Sequence, residues 1–322
     1  MQNKKLNVAI VGYGNIGKAL EEILTMKDNY NLVAIFSRRD NLKSAFGTSI
    51  VNLNQINDYK GKIDIVFLAL GSFNDIEKYG QKIARNFNTI DSFDTHRKLK
   101  RYICSLDKVG KKFNTVTLCS FGWDPGLMSL IRTVFQAIDG ESPCESFWGK
   151  GVSQGHSDAI RRVEGVRNAI QYTLPNKEIL NKCRSSFYFS PTEKEKHKRE
   201  CFISLKDGAD KEKIEKVVKS MPNYFLGYDT MVNFEDEKSI LKRQTKMSHK
   251  GFVFKNFTAC SHRFRLKFYV SMTSNPHFTA ILMIMGAKAV ARLVADKKYG
   301  AYSILDIPPK YFCSTSSPYD LL

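Results

Sequence analysis

A chain of 322 residues, 43% hydrophobic and 25% charged, is composed as a folded globular protein of two domains, which excludes a disordered or fibrous chain. Lys and Arg outnumber Asp and Glu by 50 to 32, a formal charge of +18, but they are spread along the whole chain without an arginine-rich tail or basic stripe. A lysine-rich solvated surface that attracts anionic ligands is expected, with no nucleic-acid partner.

The basic start is followed by an apolar run that stops at Gly12, too short for a secretory leader, and no run of about 18 apolar residues predicts a membrane span. Seven scattered cysteines without a Cys-x-x-Cys pair read as reduced thiols of a cytoplasmic protein, with no metal site.

In chain order, residues 6–11 predict a buried strand, 16–26 a helix and 32–36 a second strand, a βαβ unit. Its first turn is Gly12-Tyr13-Gly14-Asn15-Ile16-Gly17, a G-x-G-x-x-G sequence between strand and helix. In that context the glycines allow a tight turn, close approach of a pyrophosphate and close helix packing, and the helix N-terminus offers amide donors to the anion. The second strand ends in Ser37-Arg38-Arg39, where an NAD enzyme carries an acid for the ribose hydroxyl. A hydroxyl and two guanidiniums suit a 2′-phosphate, so NADP is the expected cofactor.

A strand over 63–70 closes on Gly71-Ser72, placed to pass near the cofactor, and is followed by a helix over 74–87, a strand at 89–90, a helix over 98–110 and a strand over 115–119. This alternation predicts an α/β Rossmann-type, doubly wound parallel sheet. Asp91 and Asp94 follow one of its strands and Asp124 follows the next. Acids at that edge suit a cationic ammonium substrate, although Asp94 also fits a helix cap and Asp91 a turn.

Beyond Asp124 the character changes: a helix over 127–138, then strand-like segments at 146–148, 166–174, 198–205, 231–234 and 264–273 predict an α+β domain. Residues 185–198 are polar enough for a mobile loop, 279–295 form an apolar helical stretch, and 301–307 predict a last strand returning to the first domain. The expected division is a dinucleotide-binding domain over 1–122, completed by about 296–322, and a substrate-binding and dimerisation region over 123–295.

With the segments Ile35-Phe36-Ser37-Arg38-Arg39, Gly122-Trp123-Asp124-Pro125-Gly126 and Ser153-Gln154-Gly155-His156-Ser157-Asp158, and with Gln171-Tyr172-Thr173-Leu174-Pro175, His197-Lys198-Arg199 and Asn275-Pro276, the chain resembles the meso-diaminopimelate dehydrogenase family along nearly its whole length. The resemblance implies NADP as cofactor, a homodimer, and oxidative deamination of meso-2,6-diaminopimelate. It implies that Asp94 and Asp124 hold the reacting ammonium, with Asp91, Trp123, Trp148, Gln154 and Gly155 around it. Arg199, Thr173 and His249 would take the distal carboxylate, with Asn275 close by; a guanidinium fork beside a hydroxyl and an imidazole makes a good carboxylate clamp.

Met247-Ser248-His249-Lys250-Gly251 departs from the family's Met-Pro-His-Gly-Gly, which loosens the aim expected of His249. Without the resemblance, His249 reads as an ordinary loop histidine. The competing readings are another two-domain NADP oxidoreductase such as a dihydrodipicolinate reductase, and a non-catalytic NADP-binding regulator.

Overall fold

The computed structural model describes residues 5–71, 75–245, 247–313 and Asp320. In chain order its elements are β1 (Leu6–Val11), α1 (Asn15–Thr25), β2 (Tyr30–Ser37), β3 (Ile50–Asn52), β4 (Ile65–Leu68), α2 (Asp75–Ala84), β5 (Asn88–Asp91), α3 (Leu99–Phe113), β6 (Val116–Leu118) and α4 (Leu127–Ile138). Then come β7 (Cys144–Trp148), β8 (Gly151–Val152), α5 (Gln154–Arg161), β9 (Val166–Pro175), α6 (Lys177–Ser185), α7 (Glu193–Lys196), β10 (His197–Leu205), α8 (Lys211–Ser220) and β11 (Thr230–Phe234). The chain finishes with α9 (Glu237–Gln244), β12 (His249–Ala259), β13 (His262–Met272), α10 (Asn275–Ala295) and β14 (Gly300–Tyr302).

Two compact units result, one of residues 1–130 with 276–322 and one of residues 131–275. In the first, seven parallel strands lie in the order β14-β6-β5-β4-β1-β2-β3, the doubly wound arrangement expected. Strand alternation divides its core into two layers. Val8, Ile10, Ile35, Phe67 and Leu118 point into one cluster, while Ala9, Val11, Phe36, Val66 and Leu68 point into the other. Both faces are covered, which is why β1 is apolar at successive positions rather than at alternate ones.

The 279–295 stretch does not join the substrate region as expected. Ala280, Met283, Ala287 and Val290 of α10 recur at helical spacing and pack in the same cluster as Val8 and Ile10, so the helix covers the parallel sheet. Its Gly286 has Phe121 and Leu118 close enough to crowd an added Cβ. Among the described residues α10 is the one helix long and apolar enough to cross a membrane, and here it is a core helix. The expected strand at 301–307 is shorter than read: β14 stops at Tyr302, and Ser303 then caps a short 3-10 turn with Asp306.

The second unit holds a four-stranded sheet ordered β11-β10-β9-β8 and a three-stranded antiparallel sheet ordered β13-β12-β7. The first of these is mixed, since β10 and β11 run parallel. Residues 185–198 are not a bare loop. Thr192 and Glu195 form a reciprocal capping box that starts α7, and Lys196 is buried against Glu145 at 2.8 Å. Strand β12, which sequence periodicity missed, opens at His249. All seven cysteines are free thiols.

Candidate active site

The three glycines of the first turn have three separate reasons to be glycine. Gly12 sits at φ +98°, and a Cβ there would meet the Ala69 carbonyl oxygen at 2.4 Å. At Gly17 a Cβ would lie 2.1 Å from the Gly12 carbonyl oxygen, so the helix could not seat against the strand. Gly14 has negative φ and no atom within 4 Å of an added Cβ. Among the described residues nothing demands glycine at 14, and the open space lies at the N-terminus of α1, which none of their side chains caps. A pyrophosphate fits that cradle in geometry and in charge. Asn15, Ile16 and Gly17 form the first turn of the same helix.

Tyr13 is buried; its hydroxyl donates to Glu21 and accepts the Ala45 amide at 3.0 Å. At the end of β2, Ser37 accepts the Arg39 amide at 3.0 Å, and Arg39 Nη2 donates to the Tyr13 carbonyl at 2.7 Å. Arg38 is half-exposed, stacks over Tyr79 at 5.0 Å and pairs with Asp75 at 2.6 Å. Both arginines are thus held at the strand end by protein groups. Gly71 lies exposed after β4, at the same edge; Ser72 falls outside the described residues.

Of the three acids, Asp91 is corrected. It is 0% exposed, one carboxylate oxygen accepts the amides of Phe93 (3.0 Å) and Ser120 (2.8 Å), and the other accepts the Tyr102 hydroxyl at 2.8 Å. Burial pushes its carboxyl up despite those three bonds. Asp91 is therefore a tie between the ends of β5 and β6, not a substrate group. Asp94 is exposed three residues further on, and Asp124 is partly exposed within the turn of Gly122 to Gly126. That turn is tight, since a Cβ on Gly126 (φ +135°) would overlap the Gly122 carbonyl at 1.8 Å. Trp123 is buried there, and its carbonyl accepts the Met128 amide at 2.8 Å.

In the second unit, sheet register brings the residues expected of the clamp together. Gly151 of β8 pairs with Thr173 of β9, which pairs with Arg199 of β10. Arg199 Nη1 donates to the Thr173 hydroxyl at 2.6 Å, and the guanidinium lies over the Tyr228 ring at 4.4 Å. His249 packs on Gly151 so closely that a Cβ there would meet its Cδ2 at 2.1 Å. Its Nδ1 lies 2.9 Å from the Lys250 amide nitrogen and 3.0 Å from the Lys250 carbonyl oxygen, so the backbone of the next residue fixes the ring. The turn that Ser248 and Lys250 were expected to loosen is held by strand pairing, His249 opposite Met272.

Arg199 is 6% exposed, has no carboxylate partner among the described residues, and its Nε lacks a hydrogen-bond partner. Burial lowers its pKa below the ordinary arginine range. Burial, and after it the Arg199 charge, push His156 and His197 down to about 3, so both imidazoles stay neutral. A buried cation beside two neutral imidazoles, with no carboxylate partner among the described residues, has the chemistry to hold an anion.

Gln154 and Asn275 meet through a residue the sequence reading passed over: Gln154 Nε2 donates to Met247 Sδ at 3.4 Å, and the Asn275 amide donates to the Met247 carbonyl at 2.8 Å. Gly155 has open space beside it. Trp148 stacks on His197 at 4.7 Å, and its amide donates to His197 Nε2 at 2.8 Å. His197 was legible as a candidate only through the two-residue period it shares with Arg199 on one strand face.

A parallel sheet in this order, with a glycine loop and uncapped helix at its carboxyl edge, has the form of a dinucleotide-binding fold, and the separate unit carries a buried guanidinium suited to an anion. Residues 122–274 match the Diaminopimelic acid dehydrogenase C-terminal domain. The chain is 40% identical over 320 residues to the Meso-diaminopimelate D-dehydrogenase of Ureibacillus thermosphaericus, covering 98% of each. The DAP dehydrogenase of C. glutamicum in complex with DAP aligns with a TM-score of 0.93 at 36% identity, over 100% of this chain and 98% of that one. An engineered D-amino acid dehydrogenase bound to NADP+ aligns with a TM-score of 0.93 at 34% identity, over 99% and 98%. The chain belongs to the meso-diaminopimelate dehydrogenase family and is an amino-acid dehydrogenase.

Proposed function

We propose that this enzyme catalyses the reversible, NADP-dependent oxidative deamination of the D-centre of meso-2,6-diaminopimelate. The products are ammonia and L-2-amino-6-oxopimelate, which cyclises to tetrahydrodipicolinate. The observation that carries the reading is Arg199: a buried guanidinium with no carboxylate of its own, beside Thr173 and His249, is matched by the distal carboxylate of a two-ended amino acid.

When bound, the nicotinamide supplies the hydride acceptor. Gly14 and the amides opening α1 take the pyrophosphate, and Ser37, Arg38 and Arg39 take the 2′-phosphate. Asp94 and Asp124 hold the reacting ammonium and receive the proton it must lose. Arg199, Thr173 and His249 hold the other end, while Trp148, Gln154 and Asn275 shape the site. The protein's contribution is placement and water exclusion. A homodimer in the cytoplasm completes this reading; it draws on the free cysteines and on the family.

Mixing the protein with NADP and meso-diaminopimelate is expected to produce NADPH, and the L,L isomer, which lacks a D-centre, is expected to remain inert. Comparable rates on the two isomers would refute the two-ended grip, and no NADPH from the meso isomer would refute the function itself.

NADP is expected to bind at least about ten-fold more tightly than NAD, because the 2′-phosphate gains charge-assisted bonds. Arg38→Ala combined with Arg39→Ala should erase most of that difference, measured by titration of both cofactors. A double variant that still discriminates would remove both arginines from the phosphate site.

A further inference from the structure

Glu21 is an acid the proposed mechanism does not use. It lies in α1, about one turn beyond Gly17, and is 0% exposed. One of its carboxylate oxygens accepts the Tyr13 hydroxyl and the other accepts the Ser44 hydroxyl. Burial alone would raise this carboxyl, but the bonds from Ser44, Tyr13 and Thr48 outweigh it and hold it below the usual range. No Lys or Arg pairs with it among the described residues; hydroxyls and an amide hold its charge.

The two hydroxyls have little choice of role. Ser44 Oγ already accepts the amides of Phe46 (3.1 Å) and Thr48 (2.8 Å), which fills its acceptor capacity, so it must donate to Glu21. Tyr13 Oη accepts the Ala45 amide at 3.0 Å and donates its own proton to the same carboxylate. An ionised carboxylate, acceptor on both oxygens, is the side chain that satisfies both. The result is a bolt between the glycine loop, through Tyr13, and the segment that follows β2, through Ser44 and Ala45. Arg39 stands between these two pieces: its guanidinium donates to the Tyr13 carbonyl at 2.7 Å, and its amide is held by Ser37.

We propose that Glu21 is a positioning residue for cofactor discrimination: by bolting Tyr13 to the Ser44–Thr48 segment it holds Arg39 at the end of β2, where the guanidinium meets a 2′-phosphate. The inference rests on the NADP reading above and adds to it a residue that touches no part of the ligand. Arg39 without the bolt keeps its charge but loses the fixed anchor of its fork, and a fork that must be ordered on binding contributes less.

The test is calorimetric titration of the unmutated protein, Glu21→Gln and Ser44→Ala with adenosine 2′,5′-bisphosphate, adenosine 5′-monophosphate, NADP and NAD, with a thermal melt of each. In Glu21→Gln one acceptor oxygen becomes an N–H donor, so only one of the two hydroxyls, Tyr13 or Ser44, keeps an acceptor. Affinity for the bisphosphate and NADP should fall by at least about ten-fold, while the monophosphate and NAD change by less than about three-fold. Ser44→Ala, at a partly exposed position, should move the same ratio in the same direction by a smaller factor. Equal weakening of all four ligands would make Glu21 a mere support of the glycine loop and overturn the proposal, as would an unchanged ratio. If Glu21→Gln does not fold, the ratio in Ser44→Ala decides. Should the unmutated protein bind bisphosphate and monophosphate alike, the NADP reading fails and Glu21 with it; discrimination that survives both substitutions sinks Glu21 alone.

Discussion

Replacing Arg199 by methionine should lower kcat/KM for meso-diaminopimelate by roughly a hundred-fold or more, through loss of a charge-assisted contact in a desolvated site. The same change should leave thermal stability unaltered or raised. Arg199 is buried without a carboxylate partner among the described residues, its Nε lacks a hydrogen-bond partner, and the side chains beside it are the Thr173 and Tyr228 hydroxyls. Such a cation costs the folded state energy until an anion arrives, so an apolar side chain of similar length removes a penalty along with the function. Dinucleotide affinity should be untouched, because Arg199 and the glycine loop belong to different units. The three measurements are steady-state kinetics, a melt and a cofactor titration. Full activity in the variant, or a loss of cofactor binding as large as the loss of turnover, would remove Arg199 from the substrate site. His249→Ala should cost less than Arg199→Met, since an imidazole offers one donor where a guanidinium offers a charged fork.

The glycine loop offers a second large effect with an internal control. Gly14→Ala should weaken NADP and NAD alike by at least about a hundred-fold, because the methyl occupies the space where a pyrophosphate approaches the helix N-terminus. Stability should hardly change, since φ at 14 is negative and no described residue lies within 4 Å of the new atom. Gly17→Ala is expected to behave in the opposite order. Its methyl would sit 2.1 Å from the Gly12 carbonyl oxygen, and pushing α1 off the sheet should cost about 1–3 kcal/mol of stability, with cofactor binding failing as a consequence. Titration and chemical denaturation of both variants separate the two cases. Wild-type affinity in Gly14→Ala would mean the cradle holds no phosphate.

Several elements were legible because their determinants are local. The apolar run of β1, the glycine spacing after it and the amphipathic repeat of α1 lie within twenty residues, so strand, turn and helix follow from periodicity alone. Strand β12 was missed because Phe252, Phe254, Lys255 and Asn256 carry no clean two-residue alternation; pairing on both sides, with β13 and β7, makes it a strand. Helix α10 was recognised as a helix but assigned to the wrong unit, since an apolar sequence says that a helix is buried without saying against what.

By itself the sequence determined the doubly wound class and the glycine turn, both readable from neighbours along the chain, while the residues expected of the clamp came from the family resemblance. Tertiary structure alone decided what each polar group is free to do. Asp91 looked like a substrate acid until the fold brought Ser120, 29 residues on, to its carboxylate. His197 gained its role from Trp148, 49 residues away, and Met247 from Gln154, 93 residues away. The physical reason is that a polar side chain's chemistry depends on whether its hydrogen-bonding capacity is already spent and how far it is removed from water. Both quantities are set by groups distant in the chain, which no local pattern encodes.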